Sequence, residues 1–478
     1  MIISLKVRWP NSLFYRMFKL LMVVVLWKHK YPQRPGLKAC PSTTLVAQEL
    51  YERNDLDWRR GPLPSFQMTY PGTLSMSFLI QCTHWFSLLG CLYLSLRLFR
   101  DLADLSQWIV QTPRKATMWT FYRRHKIATA AGILWLVSAL TLWFSGAGSV
   151  VIFWIISALS AFAFYSGYIN PSIMMRAQQH NARYFSIAEA QESLSPDTSL
   201  IVIDANGEAR GHPDDHILRP HVAGTKEGLA GENVVMTYCG LTNMGIAYTP
   251  EIDGEALDLG VMTQIENNLV MWDKKTGQPI QQFWGTREDA GPKGPRMPEW
   301  PSYRMPLWAF EKAFPNGKIF LNPIPNFTDN PFLAIFDRLM HMIFTHAISD
   351  QAKKEEPAFP TIKKFDNRLP NKTKIYGVNI GEDYVAYTKD FIKDHGGLLN
   401  VEIGGRDIVI VYHSDLDSVG AYYNDIGSQI SNVQFGGESN VGKLERVETM
   451  KSEAYWVVWQ NFFPETDVNR IPTQKASS

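Results

Sequence analysis

The chain has 478 residues, of which 47 are basic and 46 acidic, with 45% hydrophobic and 13% aromatic side chains. That length holds two or three domains with real cores, and the balanced charge argues against a general nucleic-acid binder and against an acidic tail. The cysteines are Cys40, Cys82, Cys91 and Cys239, with no CxxC, so the C-terminal part, which has Cys239 alone, cannot carry a disulfide framework.

In chain order, the short apolar run Leu20 to Trp27 follows Arg16 and Lys19. It reads as a signal-like segment, an interfacial helix or a poorly chosen translation start. Leu37 to Cys40 weakly resembles a lipoprotein cleavage site, but Lys38 inside it favours a free structural Cys40. Leu74 to Leu96, Ile127 to Phe144 and Val150 to Ile169 follow. Each has the length needed to cross a hydrocarbon core of about 30 Å at about 1.5 Å per residue. The glycine-rich link Ser145 to Ser149 makes the last two a tight helical hairpin, and Trp135, Trp143, Trp154, Tyr165 and Tyr168 include interfacial aromatics. Arg97, Arg100, Arg114, Lys115, Arg123, Arg124 and Lys126 crowd the loop between the first two spans, while the hairpin link has no lysine or arginine. This bias predicts an inner-membrane protein with the basic loop, and everything after Ile169, on the cytoplasmic side. The same topology places the basic residues 28–73 outside.

Beyond residue 170 the pattern changes to short strands and turns. Leu200 to Asp204 reads as a strand and Asn206-Gly207 as a hairpin turn. Pro213 opens a short helix that Pro220 closes. Thr388 is the N-cap and Gly396 the left-handed stop of a second one. Val234 to Tyr238 and Ile408 to Tyr412 read as buried strands, and residues 274–277 as a turn. Pro292 to Pro306 reads as an ordered loop, Pro331 to Ser349 as an amphipathic helix, and Lys353 to Asp366 as an exposed linker.

An offset of 174 carries Gly207 onto Gly381, His221 onto His395, Gly231 onto Gly405, Tyr238 onto Tyr412 and Tyr248 onto Tyr422. Similar phrases close the two stretches, at Ala313 to Ile319 and Phe462 to Val468, each preceded by tryptophan. The expected fold is therefore α+β, with N-terminal transmembrane helices followed by a β-rich soluble domain of two fused repeats. The expected boundaries are 1–73 for a basic N-terminal segment, 74–169 for the membrane region, 170–290 and 371–478 for the repeats, and 291–370 for a linking helix and loops.

Cys239 in the first copy stands where the second has His413. As a nucleophilic or redox thiol it needs a lowered pKa, which His221 at a helix end could supply, with Thr242 donating a hydrogen bond to the thiolate. Its plain alternative is a buried small hydrophobe. A two-fold arrangement of His221, Cys239, His395 and His413 would instead suit zinc or another transition metal. His212, Asp214, Asp215, His216 and His221 also look metal-like, but read better as a solvated loop with a few hydrogen-bonded histidines. No Walker loop, GxGxxG, HExxH or GxSxG is present.

The run Val234 to Thr242, with Asp253-Gly254, Leu257 to Gly260, Asn268 to Asp273, Thr276-Gly277, Arg368 to Pro370, Lys374 to Val378 and Trp456 to Asp467, resembles the family catalogued as domain of unknown function 3179, over about residues 195–470. The resemblance implies no agreed reaction. Gly240 replaces the family's usual proline, Thr242 stands at the position given to Cys or Thr, and Val222 to Lys226 departs from the usual pattern after the histidine. Together these readings give a membrane protein with a soluble binding or structural domain, its ligand and cofactor unnamed, its partner the lipid bilayer and not nucleic acid. The alternative is a thiol- or metal-dependent enzyme centred on Cys239 and His221.

Overall fold

Three long apolar helices begin the described part of the chain. The computed structural model describes residues 75–107, 109–169, 175–322, 342 and 345–471. Helix α1 spans Met76–Leu102, α2 Arg114–Ser145, and α3 Val150–Phe164, continued by a π turn at Tyr165–Ile169. Ser75 caps α1 by accepting from the Phe78 amide, and Gly146 (φ 65°) ends α2 in the left-handed conformation that glycine adopts without penalty. All three helices are long and apolar enough to cross a membrane. Phe86, Trp143, Phe144, Val151 and Trp154 remain open on their outer surfaces, as lipid-facing positions would.

The soluble part starts with β1 (Tyr184–Ser186) and the hairpin β2 (Ser199–Ala205) and β3 (Glu208–Pro213). A helical turn at Asp214–Ile217 leads to β4 (Val222–Ala223), β5 (Val235–Cys239) and β6 (Met244–Tyr248). A four-stranded meander follows: β7 (Leu259–Ile265), β8 (Asn268–Asp273), β9 (Pro279–Gln281) and β10 (Thr286–Arg287). Next come β11 (Glu299–Trp300), β12 (Tyr303–Pro306), α4 (Leu307–Ala313) and β13 (Lys318–Phe320). The segment read as a loop up to Pro306 therefore ends in two strands. Pro306 sits at the last position of β12, where its missing N–H breaks no ladder in the strand interior.

The C-terminal part holds the hairpin β14 (Lys374–Ile380) and β15 (Asp383–Thr388), then α5 (Lys389–Asp394). Thr388 caps α5 by accepting from the Phe391 amide, and Gly396 follows at φ 81°. Strands β16 (Leu398–Ile403), β17 (Arg406–His413) and β18 (Ser418–Tyr423) form a second meander. The chain closes on β19 (Lys451–Tyr455), α6 (Trp456–Phe462) and β20 (Asp467–Val468).

Two sheets share one connection order. In the first, β12 pairs antiparallel with β2 and β13 parallel with β3; in the second, β19 pairs antiparallel with β14 and β20 parallel with β15. Each pairing encloses a strand–helix–strand segment. Tyr238 pairs with Gly245 and Tyr412 with Val419, a spacing that keeps the offset of 174. The hairpins do not keep it. Ala205 pairs with Glu208 and Ile380 with Asp383, so Asn206 corresponds to Gly381 and the expected match of Gly207 to Gly381 moves by one residue.

Burial holds the two parts together. One apolar cluster joins Val235, Met244 and Leu269 to Trp456, Trp459 and Phe462; another joins Leu200, Tyr303 and Phe310 to Tyr376, Leu399 and Ile410. Gly377 lies where a Cβ would stand 2.2 Å from the Trp459 ring, so a bare backbone is needed for that packing. The stretch read as an exposed linker also carries buried residues, Phe359, Thr361 and Ile362. Most of the helix expected at Pro331 to Ser349, like residues 1–73 with Cys40, lies outside the described residues.

The membrane helices are tied to the soluble part by their first loop. Leu98, Leu102 and Phe121 pack with Met262, Ile265 and Val270 of β7 and β8. Thr263 Oγ1 donates to an Asp104 carboxylate oxygen at 3.0 Å, and the Gln264 amide donates to the same atom at 3.3 Å. Arg114 forms ion pairs with Glu288 and, at 3.6 Å, with Glu266, and lies over the Trp284 ring. The α1–α2 loop and the soluble part are thus on one side of the three helices.

Candidate functional site at the 238–243 turn

Tyr238 to Asn243 turns from β5 into β6 between two buried polar networks. Cys239 ends β5 at 3% exposure, and its Sγ lies 3.9 Å from the Asn267 carbonyl oxygen. Thr242 Oγ1 donates to that same oxygen at 3.0 Å. Asn267 stands there because Glu266 and Asn267, at φ 55° and 61°, form the two-residue turn of the β7–β8 hairpin. Such a turn needs positive φ at both positions, which Asn tolerates better than most residues.

Amides fill this interior. Asn268 Nδ2 donates to Thr242 Oγ1 at 3.1 Å and to Gln282 Oε1 at 3.0 Å, and Gln282 Nε2 donates to Thr237 Oγ1 at 3.0 Å. Asn267 Nδ2 donates to the Phe359 carbonyl at 2.7 Å and to Thr361 Oγ1 at 2.9 Å, while its Oδ1 accepts from the Phe359 amide at 2.8 Å. This clamp orders the segment read as a linker. A buried polar network of this kind is rigid when its members are paired.

Burial pushes the Cys239 thiol up, against the backbone amides of Thr242 and Leu241, while the Thr242 hydroxyl gives its proton to the Asn267 carbonyl and not to the thiol. His221 offers no charge to counter it. Burial lowers its pKa to about 4, with Arg219 adding repulsion, so the imidazole is neutral at pH 7. The expectation of a protonated, dipole-stabilised imidazole is corrected here: one helical turn supplies little dipole and desolvation is the larger influence. The His221 carbonyl accepts from the Tyr238 amide at 2.8 Å, yet its Nδ1 has no hydrogen-bond partner.

The four residues of the metal alternative are not gathered. His413 is buried against Tyr422, with Nε2 3.0 Å from the phenolic oxygen, and burial lowers its pKa to about 4. His395 is exposed, its Nδ1 2.8 Å from the Phe391 carbonyl. Among the described residues no group of three or more His, Cys, Asp or Glu side chains is placed to hold a metal ion. Nor is the His212 group a solvated loop. His212 is wholly buried in β3, between Tyr184 Oη at 2.9 Å and the Ile201 carbonyl at 3.0 Å, and burial takes its pKa down to about 3. His216 Nδ1 accepts from the Asn322 amide at 3.0 Å.

On the other side of the turn lies a cluster that the sequence reading missed. Arg304, 2% exposed, donates through Nη1 to Asp214 Oδ2 at 2.7 Å and Ser199 Oγ at 3.1 Å, and through Nη2 to the Asn243 carbonyl at 3.0 Å. Asn243 Nδ2 donates to the Glu453 carbonyl at 2.9 Å, and the Tyr455 amide donates to the Thr242 carbonyl at 2.9 Å. Glu453 is in the left-handed region, φ 60°, at a bulge where β19 meets β14. Its carboxylate accepts from Lys374 Nζ at 2.7 Å and Tyr376 Oη at 3.3 Å. Burial would raise the Glu453 pKa, but Arg304 and Lys374 hold it below its ordinary value. Burial raises that of Asp214 despite Arg304. Arg304 Nε and Asp214 Oδ1 are both shut from solvent without a hydrogen-bond partner. A charge inside a proline-rich stretch gives no sequence signal of burial, whereas the asparagine pair 267–268 between two apolar runs is a readable turn signal.

A second seam contact is the ion pair of Lys451 with Glu299, side chains 1% and 4% exposed, at 2.5 Å. Lys451 Nζ also donates to Asn379 Oδ1 at 2.9 Å and to the Thr449 carbonyl at 3.1 Å.

Comparison with curated proteins and with solved structures returned no match for the chain. One family model matches residues 171–466. That span covers the turn, both polar networks and both sheets except β20, and the chain belongs to the family described as Protein of unknown function (DUF3179).

Proposed function

We propose that this membrane protein is a non-catalytic binding protein whose ligand site is the seam at Arg304, Asp214 and Glu453. One observation carries the reading: a fully buried guanidinium N–H and a carboxylate oxygen stand unpaired beside a backbone-strained glutamate. Buried unpaired groups and left-handed non-glycine residues are costly and concentrate where a partner group completes them. The two positive charges, Arg304 and Lys374, balance the two negative ones, Asp214 and Glu453, which suits a small neutral molecule presenting both a donor and an acceptor. We further infer that the two sheets of shared connection order are copies of one unit, with the seam as their interface. The lysine and arginine bias of the α1–α2 loop supports a cytoplasmic soluble domain in the inner membrane.

The alternative thiol chemistry is disfavoured by a buried, protonated Cys239 and a neutral His221. Small molecules released on denaturing the purified full chain test the proposal. A stoichiometric neutral compound is expected, depleted in Glu453→Gln. A wild type that releases nothing refutes the binding reading, and a Cys239 that reacts with a maleimide in the folded protein favours the thiol reading instead.

A further inference from the structure

At the end of the helix pair nearest the soluble part, two arginines share one tryptophan. The Arg97 guanidinium carbon lies 4.1 Å from the centroid of the Trp119 ring, and that of Arg123 lies 4.5 Å from the same centroid. Placing two like charges on one indole is unfavourable unless an anion joins them, because each cation–π contact offsets only part of the repulsion. The neighbouring carboxylate is already engaged. Asp101 accepts from Arg100 Nε at 2.6 Å, from Arg100 Nη2 at 3.0 Å and from Thr120 Oγ1 at 2.5 Å, which leaves Arg97 Nε 3.7 Å away. Arg97 Nε is buried without a hydrogen-bond partner. Arg123 is exposed and reaches no nearer than 3.5 Å to the Trp119 carbonyl oxygen.

The level of this group in the helices says what the anion is. Arg97 follows the apolar part of α1, and Trp119 and Arg123 precede the uncharged stretch of α2 that starts at Ile127. That is the headgroup level of a bilayer crossed by these helices, on the face that carries the soluble part, and Trp119 is 41% exposed, as a tryptophan of the interfacial belt would be. We propose that Arg97, Trp119 and Arg123 form a binding site for the phosphate of an anionic phospholipid. The guanidiniums bind its oxygens through charge-assisted hydrogen bonds, and the indole keeps both arginines at one level of the helices. This goes beyond the ligand site at the seam and does not depend on it.

The test uses the full chain in detergent micelles, offered phosphatidylglycerol or phosphatidylcholine and read by native mass spectrometry. Wild type is expected to retain phosphatidylglycerol in preference to phosphatidylcholine. Arg97→Gln/Arg123→Gln should lose about 30-fold of that retention, from roughly fivefold per basic residue at an anionic surface. Lys115→Gln/Lys126→Gln removes the same charge from exposed lysines and should keep the preference. Equal retention of both lipids by wild type overturns the proposal, as does an equal loss in the two double variants, which would mean diffuse attraction without a built site. Inorganic phosphate that displaces the lipid at millimolar concentration would also overturn the assignment to a lipid, in favour of a soluble anion. Size-exclusion profiles that match wild type establish that the variants are folded.

Discussion

Lys451→Met should be among the most damaging single substitutions in the soluble part. It removes the partner of a carboxylate that is 4% exposed, taking Lys451 Nζ from its place 2.5 Å from Glu299 in the seam. Breaking a buried pair from one side costs about 3–5 kcal/mol, because the remaining charge keeps its desolvation penalty. The two further acceptors of Lys451, Asn379 Oδ1 and the Thr449 carbonyl, lose a donor as well, each worth about 1 kcal/mol. At roughly 2–4 °C per kcal/mol for a domain of this size, the midpoint should fall by about 10–28 °C. Replacing both partners, Glu299→Leu/Lys451→Met, takes the stranded charge away and should recover about half of that loss. Thermal unfolding of the solubilised full chain, followed by circular dichroism, supplies all the terms of the cycle. If Lys451→Met costs less than about 1 kcal/mol, or the double variant is no better than the single one, the pair is not the buried contact described and the argument fails.

Three other outcomes follow from the same physics. Cys239 should label with a maleimide at least about a hundredfold more slowly in the folded chain than in denaturant, since it is a buried, protonated thiol; equal rates would contradict its placement. Glu288, whose pKa burial raises to about 7 despite Arg114, binds its proton in the folded state where the unfolded chain has released it, so its contribution falls as pH rises from about 4.5 to about 7. The difference in stability between wild type and Glu288→Gln should therefore change by about 3 kcal/mol across that window, and a flat difference counts against the shift. His212 acts in the opposite sense: with its pKa lowered to about 3, the folded chain stays neutral while the unfolded chain takes up a proton, so acid destabilises wild type from about pH 6.5 downwards. A His212→Phe variant that remained folded would lose that part of the acid sensitivity, as urea titrations at several pH values would reveal.

Much of the fold was readable because local rules and tertiary structure agree. The apolar lengths of the three spans, the Asn206-Gly207 turn, the Thr388 cap and the continuous hydrophobicity of β5 and β17 each specify an element without help from distant residues. The one-residue slip in the hairpin match arose because Gly207 and Gly381 look equivalent as letters, while the positions with positive φ begin at Asn206 in one turn and at Gly381 in the other. The site was less readable. Cys239 drew notice as the lone thiol of its region, but its character depends on Asn267, Asn268, Gln282 and Phe359, which come from three other segments. Arg304 and Glu453 lie far apart in sequence, and each looks like an ordinary surface charge. Their burial comes from strand pairing with β2 and β14, which no local pattern records.

The brace at Asp104 and Arg114 has a mechanical consequence. The polypeptide passes from the third span to the soluble part through residues 170–174, and other residues join the two by side-chain contact. The apolar contacts of Leu98, Leu102 and Phe121 with β7 and β8, and the Arg114 ion pairs, are independent of chain continuity there. A proteolytic cut between Ile169 and Met175 would leave two fragments that migrate as one particle. A longer insertion at the same place should leave these contacts, and the placement they set, unchanged.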